Sequence, residues 1–437
     1  MRLGDPSGHL DLLDVICDAT PKINFLFCGG MLLQGLLVCY ISGLDLRRID
    51  SETTPFLAEA LSSHPWTAYR NLPSNELFPT LVTGVDPTEH GVWGVQLQAG
   101  FETNRTRIAD CLPDVLVTGI QCIRHALAPP FDLAAMPPRR RSRLQIKRTK
   151  YKRRRRYPEA LYRIGGVPTV LELVGRDRSR YVFSCARDPM SRLLPALPTR
   201  DLTLEIVELY SLDRFQQWNL DRLGQVLGYY RVIDAFLREL HAKCQAQGRI
   251  LMVLSDHGHE PIRESIDLLA ILRRNGLSEN DYTTFVEVSS ARFWLHSKKA
   301  QTKLPAILTE FGHGTVFPYR EMERYGIPLR DSSYGEWFCF LDPGFIFFPH
   351  DFYHPVANIF LGLADTMQRS RLRSPRHRGN HGHLPHFEAE RSFMLLLDSR
   401  YRVDAQEATI LDVSPSILGV LGLQPSPFMK GRPVFHL

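Results

Sequence analysis

From Leu36 onward, runs of apolar residues alternate with stretches in which apolar positions recur every three or four residues. LLVCYI at 36–41 is followed by a helical pattern opening at Thr54-Pro55. YVFSC, LEIVELY and RILMVLS follow in turn, with a long helical pattern before the last of them. Short continuous apolar runs read as strands buried on both faces, and their alternation with helices predicts a large, mostly parallel sheet covered by helices on both sides, an α/β fold.

The helix predicted over Leu223 to Lys243 carries Leu223, Val226, Leu227, Tyr230, Ile233, Leu237 and Leu240 on one stripe, which assigns that stripe to the core. Asp412, Val413, Ser414 and Pro415, then an apolar run closed by Gly422, predict a last helix with a capping residue, an early proline and a terminating glycine. Between His259 and about Pro375 the periodic signals weaken and aromatics gather, which reads as a cap inserted over 260–375. Residues 1–35 carry no clean amphipathic pattern and read as an N-terminal extension, with Met31 an alternative start, leaving 36–437 as the main domain. The apolar stretch from Ile23 to Ile41 raises a membrane span, but Gly29, Gly30, Gln34 and Gly35 interrupt it, so a membrane role is the weaker reading.

Hydrophobic residues make up 44% of the 437, enough for a substantial core and too many for a disordered or fibrous chain. The eight cysteines are scattered without a CxxC pair, which points to free thiols and a cytoplasmic protein. The net charge of +6 is concentrated: from Arg139 to Arg156 about two residues in three are Lys or Arg, and without them the chain would be acidic. The run, within an insertion at 137–157, fits nucleic acid or another anionic surface. With only Tyr151 and Tyr157 for stacking, a solvated insertion is the plainer reading.

Ligands of open parallel sheets gather beyond the carboxyl ends of the strands, so polar clusters there carry the candidate chemistry. Ser255-Asp256-His257-Gly258 follows one strand directly and offers a carboxylate and an imidazole, both common metal ligands. Asp213 follows LEIVELY in the same relation, and Gly379-Asn380-His381-Gly382-His383 precedes SFMLLLD. Ser74, ahead of a short predicted helix, is a candidate nucleophile or a simple N-cap.

The segment from Leu81 to Gly84, followed by Asp86-Pro87 and His90-Gly91-Val92, resembles the LxTGxxPxxHGI signature of type I phosphodiesterases and nucleotide pyrophosphatases, members of the alkaline phosphatase superfamily. Counting nine residues back from Thr83 reaches Ser74, where that family carries its nucleophile. Ser255 to Gly258 is similar to the family's SDHGM, Gly379 to Gly382 to its GxHG, and the tail ATILDVSPSILGVLGLQPSPFMKGRPV to its closing motif. The matches keep the family's order from about residue 36 to 435.

The resemblance implies an alkaline phosphatase-like fold and a hydrolase of phosphodiester or pyrophosphate bonds working through a serine phospho-enzyme, its substrate a phosphate ester such as a nucleotide. It implies two divalent ions about 4 Å apart, zinc first, with manganese or magnesium as alternatives. Asp256 and His257 would serve the ion near Ser74, Asp213 and His381 the other. The chain departs from the pattern. Ser42-Gly43 stands where the family has Asp-Gly, with Asp45 the nearest carboxylate, and Gln217 stands where Asp213 should be followed by a histidine. An expected phosphate-binding Asn falls on Val95, beside Gln96. Asp45, His383 or His386 would have to compensate, or the chain binds phosphate or a partner without turnover; a phosphomonoesterase also stays open. The segment after Ser74 lacks the CxPSR context of sulfatases, which argues against sulfatase chemistry.

The basic run has no apolar period able to bury a face. Deleting 139–156 is expected to shift the melting temperature by less than about 2 °C, read by differential scanning fluorimetry; a drop of many degrees would mean that the run is packed.

Overall fold

The computed structural model describes residues 34–74, 76–93, 158–353, 376–403 and 407–437, with the backbone of Leu97–Ala99 and Leu144–Ile146. The N-terminal extension up to residue 33, Val95 and Gln96, and the insertion 137–157 apart from that backbone lie outside the described residues.

The chain lays down β1 (Leu36–Ile41), α1 (Pro55–Ser63), β2 (Trp66–Arg70), α2 (Phe78–Thr83), β3 (Ser179–Ser184) and β4 (Leu204–Leu209). It continues through α3 (Ser211–Asn219), α4 (Leu223–Ala246) and β5 (Ile250–Ser255). The main sheet is completed late, by β6 (Arg391–Leu396) and β7 (Ala408–Thr409), before α5 (Val413–Val420). The seven strands lie in the order β7-β2-β6-β5-β1-β4-β3. β1, β3, β4 and β5 are mutually parallel, and β6 alone runs against its neighbours β5 and β2. Reversal of β6 matters for function, because the segment that enters it lies at the edge where the parallel strands end.

Successive side chains of a strand point to opposite faces. Leu36, Val38 and Tyr40 accordingly join one buried apolar cluster, with Met252, Met394 and the α5 residues Ile417 and Leu418. Leu37, Cys39 and Ile41 join the other, with Val253, Phe393 and the α4 residues Ile233 and Leu237. Both faces being covered is why LLVCYI reads as an unbroken apolar run rather than an alternation. The α4 stripe is as expected at Val226, Tyr230, Ile233, Leu237 and Leu240, but Leu223 in the first turn is 48% exposed. Tyr229, Phe236 and Cys244 are buried as well, so the helix is covered over a wider arc than one stripe.

A second sheet lies between Tyr282 and Leu341, four antiparallel strands with Ser290–Leu295 and Trp337–Leu341 at its centre. One face buries Phe293, Cys339 and Leu341 against the helix Lys298–Glu310. Its other face brings Phe317, Phe338 and Phe340 into the main-sheet cluster, beside Trp93. Aromatics that the sequence concentrates here thus bind the segment to the core. No helix among the described residues is long and apolar enough to cross a membrane.

Thr54 makes no side-chain cap at α1; the carboxylate of Asp234 on α4 does so instead, accepting the N–H groups of Phe56 at 3.2 Å and Leu57 at 2.9 Å. Asp234→Ala leaves both donors without a partner in a buried place and is expected to cost about 2 kcal/mol, seen as a lower urea midpoint at unchanged slope.

Candidate metal and phosphate site

β1 ends at Ile41 and turns at Gly43, whose φ of +80° and close approach to the Asp213 backbone only glycine tolerates. The Gly43 N–H donates to Asp256 Oδ1 at 2.9 Å, and the Ser42 hydroxyl donates to Asp256 Oδ2 at 2.9 Å. Tyr40 adds its phenol to the same oxygen, held protonated by burial first and by the Asp256 charge second. Asp256 is therefore a buried carboxylate already compensated by three donors from β1 and its turn. Asn71, just past β2, donates to the Asp256 backbone carbonyl and to that of Glu390, joining the end of β5 to the entry of β6.

Asp213, 1% exposed in the first turn of α3, is the centre of a different arrangement. It lies with His257, His259 and His381 in a group whose possible ligand atoms fall within 4.8 Å of one another. His259 Nε2 is 3.1 Å from Asp213 Oδ1 and His381 Nε2 is 3.5 Å from it. The His257 and His381 rings stack at 3.7 Å, almost parallel at 4°. Burial drives His381 well below its ordinary range, with the His257 ring a further cause. For His257 burial pushes the same way, but the Asp256, Asp213 and Glu390 carboxylates outweigh it and raise its pKa. Burial would raise Asp213; the three imidazoles prevail and hold it far below the usual carboxylate range.

This donor set suits a divalent cation. His257 Nδ1 is 3.0 Å from the Gly258 carbonyl, an arrangement that makes Nδ1 the donor and turns Nε2 toward the carboxylates, 3.3 Å from Asp256 Oδ2. His259 is fully buried, with Nε2 against Asp213 Oδ1 and no hydrogen bond at Nδ1. Three imidazoles and a carboxylate are a usual set for zinc.

Of the expected site residues, the structure gathers Asp213, His257 and His381, with Asp256 adjoining at 3.3 Å from His257 Nε2. Gln217 is there too, but its amide nitrogen donates to both Asp213 oxygens, at 3.1 and 2.9 Å. Asp45 is not brought in: its carboxylate caps its own turn and pairs with Arg47 at 2.8 Å and Arg48 at 3.5 Å. His383 turns toward the Leu341 carbonyl at 2.8 Å, and His386 is exposed. Neither belongs to the Asp213 group. His259 was missed because the reading stopped at the tripeptide; an imidazole two residues beyond His257, on an extended chain, was the signal. Gly258 also has another role than turning the chain, since a Cβ there would overlap the Asp45 carboxylate.

Ser74 is not the N-cap of α2, which starts at Phe78 after Leu77. It lies past β2, with Oγ accepting the Glu76 N–H at 3.1 Å. It is 8% exposed and lines a small pocket with Trp93, Glu287, Arg292 and Gly382, the last of these adjoining His381. Arg292 and Glu287 pair at 3.0 Å, and the Arg292 guanidinium sits 4.8 Å over the Trp93 ring. Sequence reading missed these three; a buried ion pair on a strand of the second sheet leaves no local motif. His90 of the His-Gly signature is structural: it is 3.0 Å from Thr80 Oγ1, accepts the Val92 N–H, and burial lowers its pKa to about 3.

No protein-family model matches the chain, and none of the curated proteins does. Solved structures do match, across almost its whole length. Murine ectonucleotide pyrophosphatase/phosphodiesterase 5, as an inactive threonine-to-alanine variant in complex with AMP, superposes with a TM-score of 0.60 at 15% identity, covering 90% of this chain and 96% of that one. The same murine protein without that substitution gives 0.58 at 14%, covering 90% and 96%. Its human counterpart gives 0.59 at 14%, covering 91% and 97%. The likeness is one of fold: this chain has the mostly parallel α/β architecture of nucleotide pyrophosphatase/phosphodiesterases, with a buried Asp/His group at the carboxyl edge of its sheet.

If that group takes a cation, zinc at about a hundred times its Kd should stabilise the chelator-treated protein by about 2.7 kcal/mol, read as a rise in melting temperature. Asp213→Asn should remove most of that rise. An equal rise in both proteins would assign the ion to some other place.

Proposed function

We propose that this protein is a metal-dependent hydrolase of phosphodiester or pyrophosphate bonds, acting on a nucleotide or a related phosphate ester, and a member of the nucleotide pyrophosphatase/phosphodiesterase family. The observation that carries the reading is the Asp213, His257, His259 and His381 group at the carboxyl edge of a sheet with that architecture. Ser74 follows β2 at the same edge, where the family resemblance puts the nucleophile. The AMP held by the murine relative supports a nucleotide ligand.

In this mechanism Ser74 Oγ attacks phosphorus, a Ser–O–P bond forms, and the bond to the leaving alcohol breaks as that oxygen takes up a proton. Water then attacks the phosphoserine, releases the phosphomonoester and returns the hydroxyl. A bound divalent ion, zinc first and manganese or magnesium as alternatives, supplies the positive charge that stabilises the phosphoryl oxygens. Arg292, Glu287 and Trp93 line the Ser74 pocket and would orient the ester from the second sheet, which we take as part of a cap over 260–375. Four cysteines among the described residues (Cys39, Cys185, Cys244 and Cys339) are free, in keeping with a cytoplasmic location.

A second reading has its own support. Gln217 and Ser42 each give a hydrogen bond to a carboxylate that a cation would otherwise neutralise, which favours a protein that binds a phosphate ligand without turnover.

Release of p-nitrophenol from bis(p-nitrophenyl) phosphate, compared with the monoester, separates these readings. A diesterase works faster on the first, and Ser74→Ala should lower its turnover at least about a thousand-fold with the melting temperature almost unchanged. A wild type that hydrolyses neither ester yet binds AMP would favour the second reading. A Ser74→Ala protein as active as wild type would remove Ser74 from the chemistry.

A further inference from the structure

We infer that the chain holds one divalent ion rather than two, and that His259 is one of its ligands. The inference rests on the hydrolase reading only in taking the same site as functional.

Two carboxylates stand at the sheet edge, and their surroundings differ in kind. Asp256 has both oxygens engaged by protein donors: Gly43 N–H on Oδ1, Ser42 and Tyr40 hydroxyls on Oδ2. Its charge is already answered, and Ser42 brings a donor to the place where a second ion would need an anionic ligand. Asp45, the carboxylate nearest in sequence to Ser42, is taken by Arg47 and Arg48. Drawing Asp256 onto a cation would strip three hydrogen bonds from a buried group. The place beside Ser42 is thus built to be stable without metal.

At Asp213 the Gln217 amide donates to both oxygens as well, but the other partners are imidazoles, which can turn a lone pair to a cation. Three imidazoles converge on one carboxylate, and His259, wholly buried, faces Asp213 Oδ1 with Nε2 at 3.1 Å and has no hydrogen bond at Nδ1. A buried imidazole set against a buried carboxylate places an Nε2 ligand atom beside an anionic one, the combination a divalent ion takes. The possible ligand atoms of the four residues lie within 4.8 Å of one another, close enough for small side-chain shifts to bring them onto one ion. His381, with a side chain 14% exposed, is the ligand nearest solvent and marks the way in. His259 thereby supplies an imidazole where Gln217 offers an amide.

The test is metal content and affinity of the full-length protein, stripped with chelator and titrated with zinc alone by calorimetry, with elemental analysis of the dialysed complex. The expected ratio is one zinc per chain. His259→Ala should weaken binding at least about tenfold. Ser42→Asp, which removes a donor and adds a carboxylate beside Asp256, should raise the ratio to two. Circular dichroism must first show each variant folded; if Ser42→Asp is not, the wild-type ratio and His259→Ala decide. Two zinc ions in the wild type, none at all, or unchanged affinity in His259→Ala overturns the inference. Hydrolysis by a protein loaded with two ions would sink this inference and leave the hydrolase reading standing. One ion at His259 in a protein that hydrolyses no phosphate ester would do the reverse.

Discussion

Two carboxylates, Asp213 and Asp256, sit almost without solvent at one edge of the main sheet, and the need to compensate their buried charges organises everything around them. A buried ionised group persists only if it is paired or hydrogen-bonded. For Asp256 the partners come from β1: Tyr40 in its last turn of pleat, then Ser42 and the Gly43 N–H beyond it. For Asp213 they come from the ends of β5 and the approach to β6, as imidazoles, and from Gln217 one turn along α3. Three parallel strand ends and one antiparallel strand start must meet at a single edge for both to be satisfied. The strand order, with β6 reversed beside β5, provides that meeting.

The motifs of this chain divide into scaffold and chemistry once their contacts are known. His90, Thr80 and Gly258 are scaffold: the first two join α2 to the turn after it, and the glycine makes room for Asp45. Asn71 is scaffold of a more specific kind, since its amide ties the Asp256 and Glu390 backbones together and so sets the spacing between β5 and the entry of β6. Asp213, His257, His259 and His381 form the group that could hold a cation, and Ser74 with Arg292, Glu287 and Trp93 lines the adjoining pocket. The second sheet contributes to that pocket because its aromatic face is packed into the main core, which holds Arg292 in place from the far side of Ser74.

Much of this was legible along the chain, because it depends on local order. Buried strands announce themselves as apolar runs, and a polar residue directly after such a run is delivered to the ligand-binding edge whatever its partners. That is why Asp213, Asp256 and His257 could be named from sequence, and the alternation of strands and helices fixed the α/β class. His381 was legible through the family resemblance, and the antiparallel course of β6 is what brings it to the same edge. What the sequence could not decide is which donors answer which charge. Asp45 looked like the nearest replacement for a missing ligand, yet Arg47 and Arg48, two and three residues away, claim it first. Ser42 looked like a loss and proves to be a donor to Asp256, while Arg292 has no motif to mark it. Local pattern determines where a side chain leaves the sheet. Partnership among buried charges is settled by groups distant in sequence, because at short range in a low-dielectric interior the closest well-aligned donor prevails.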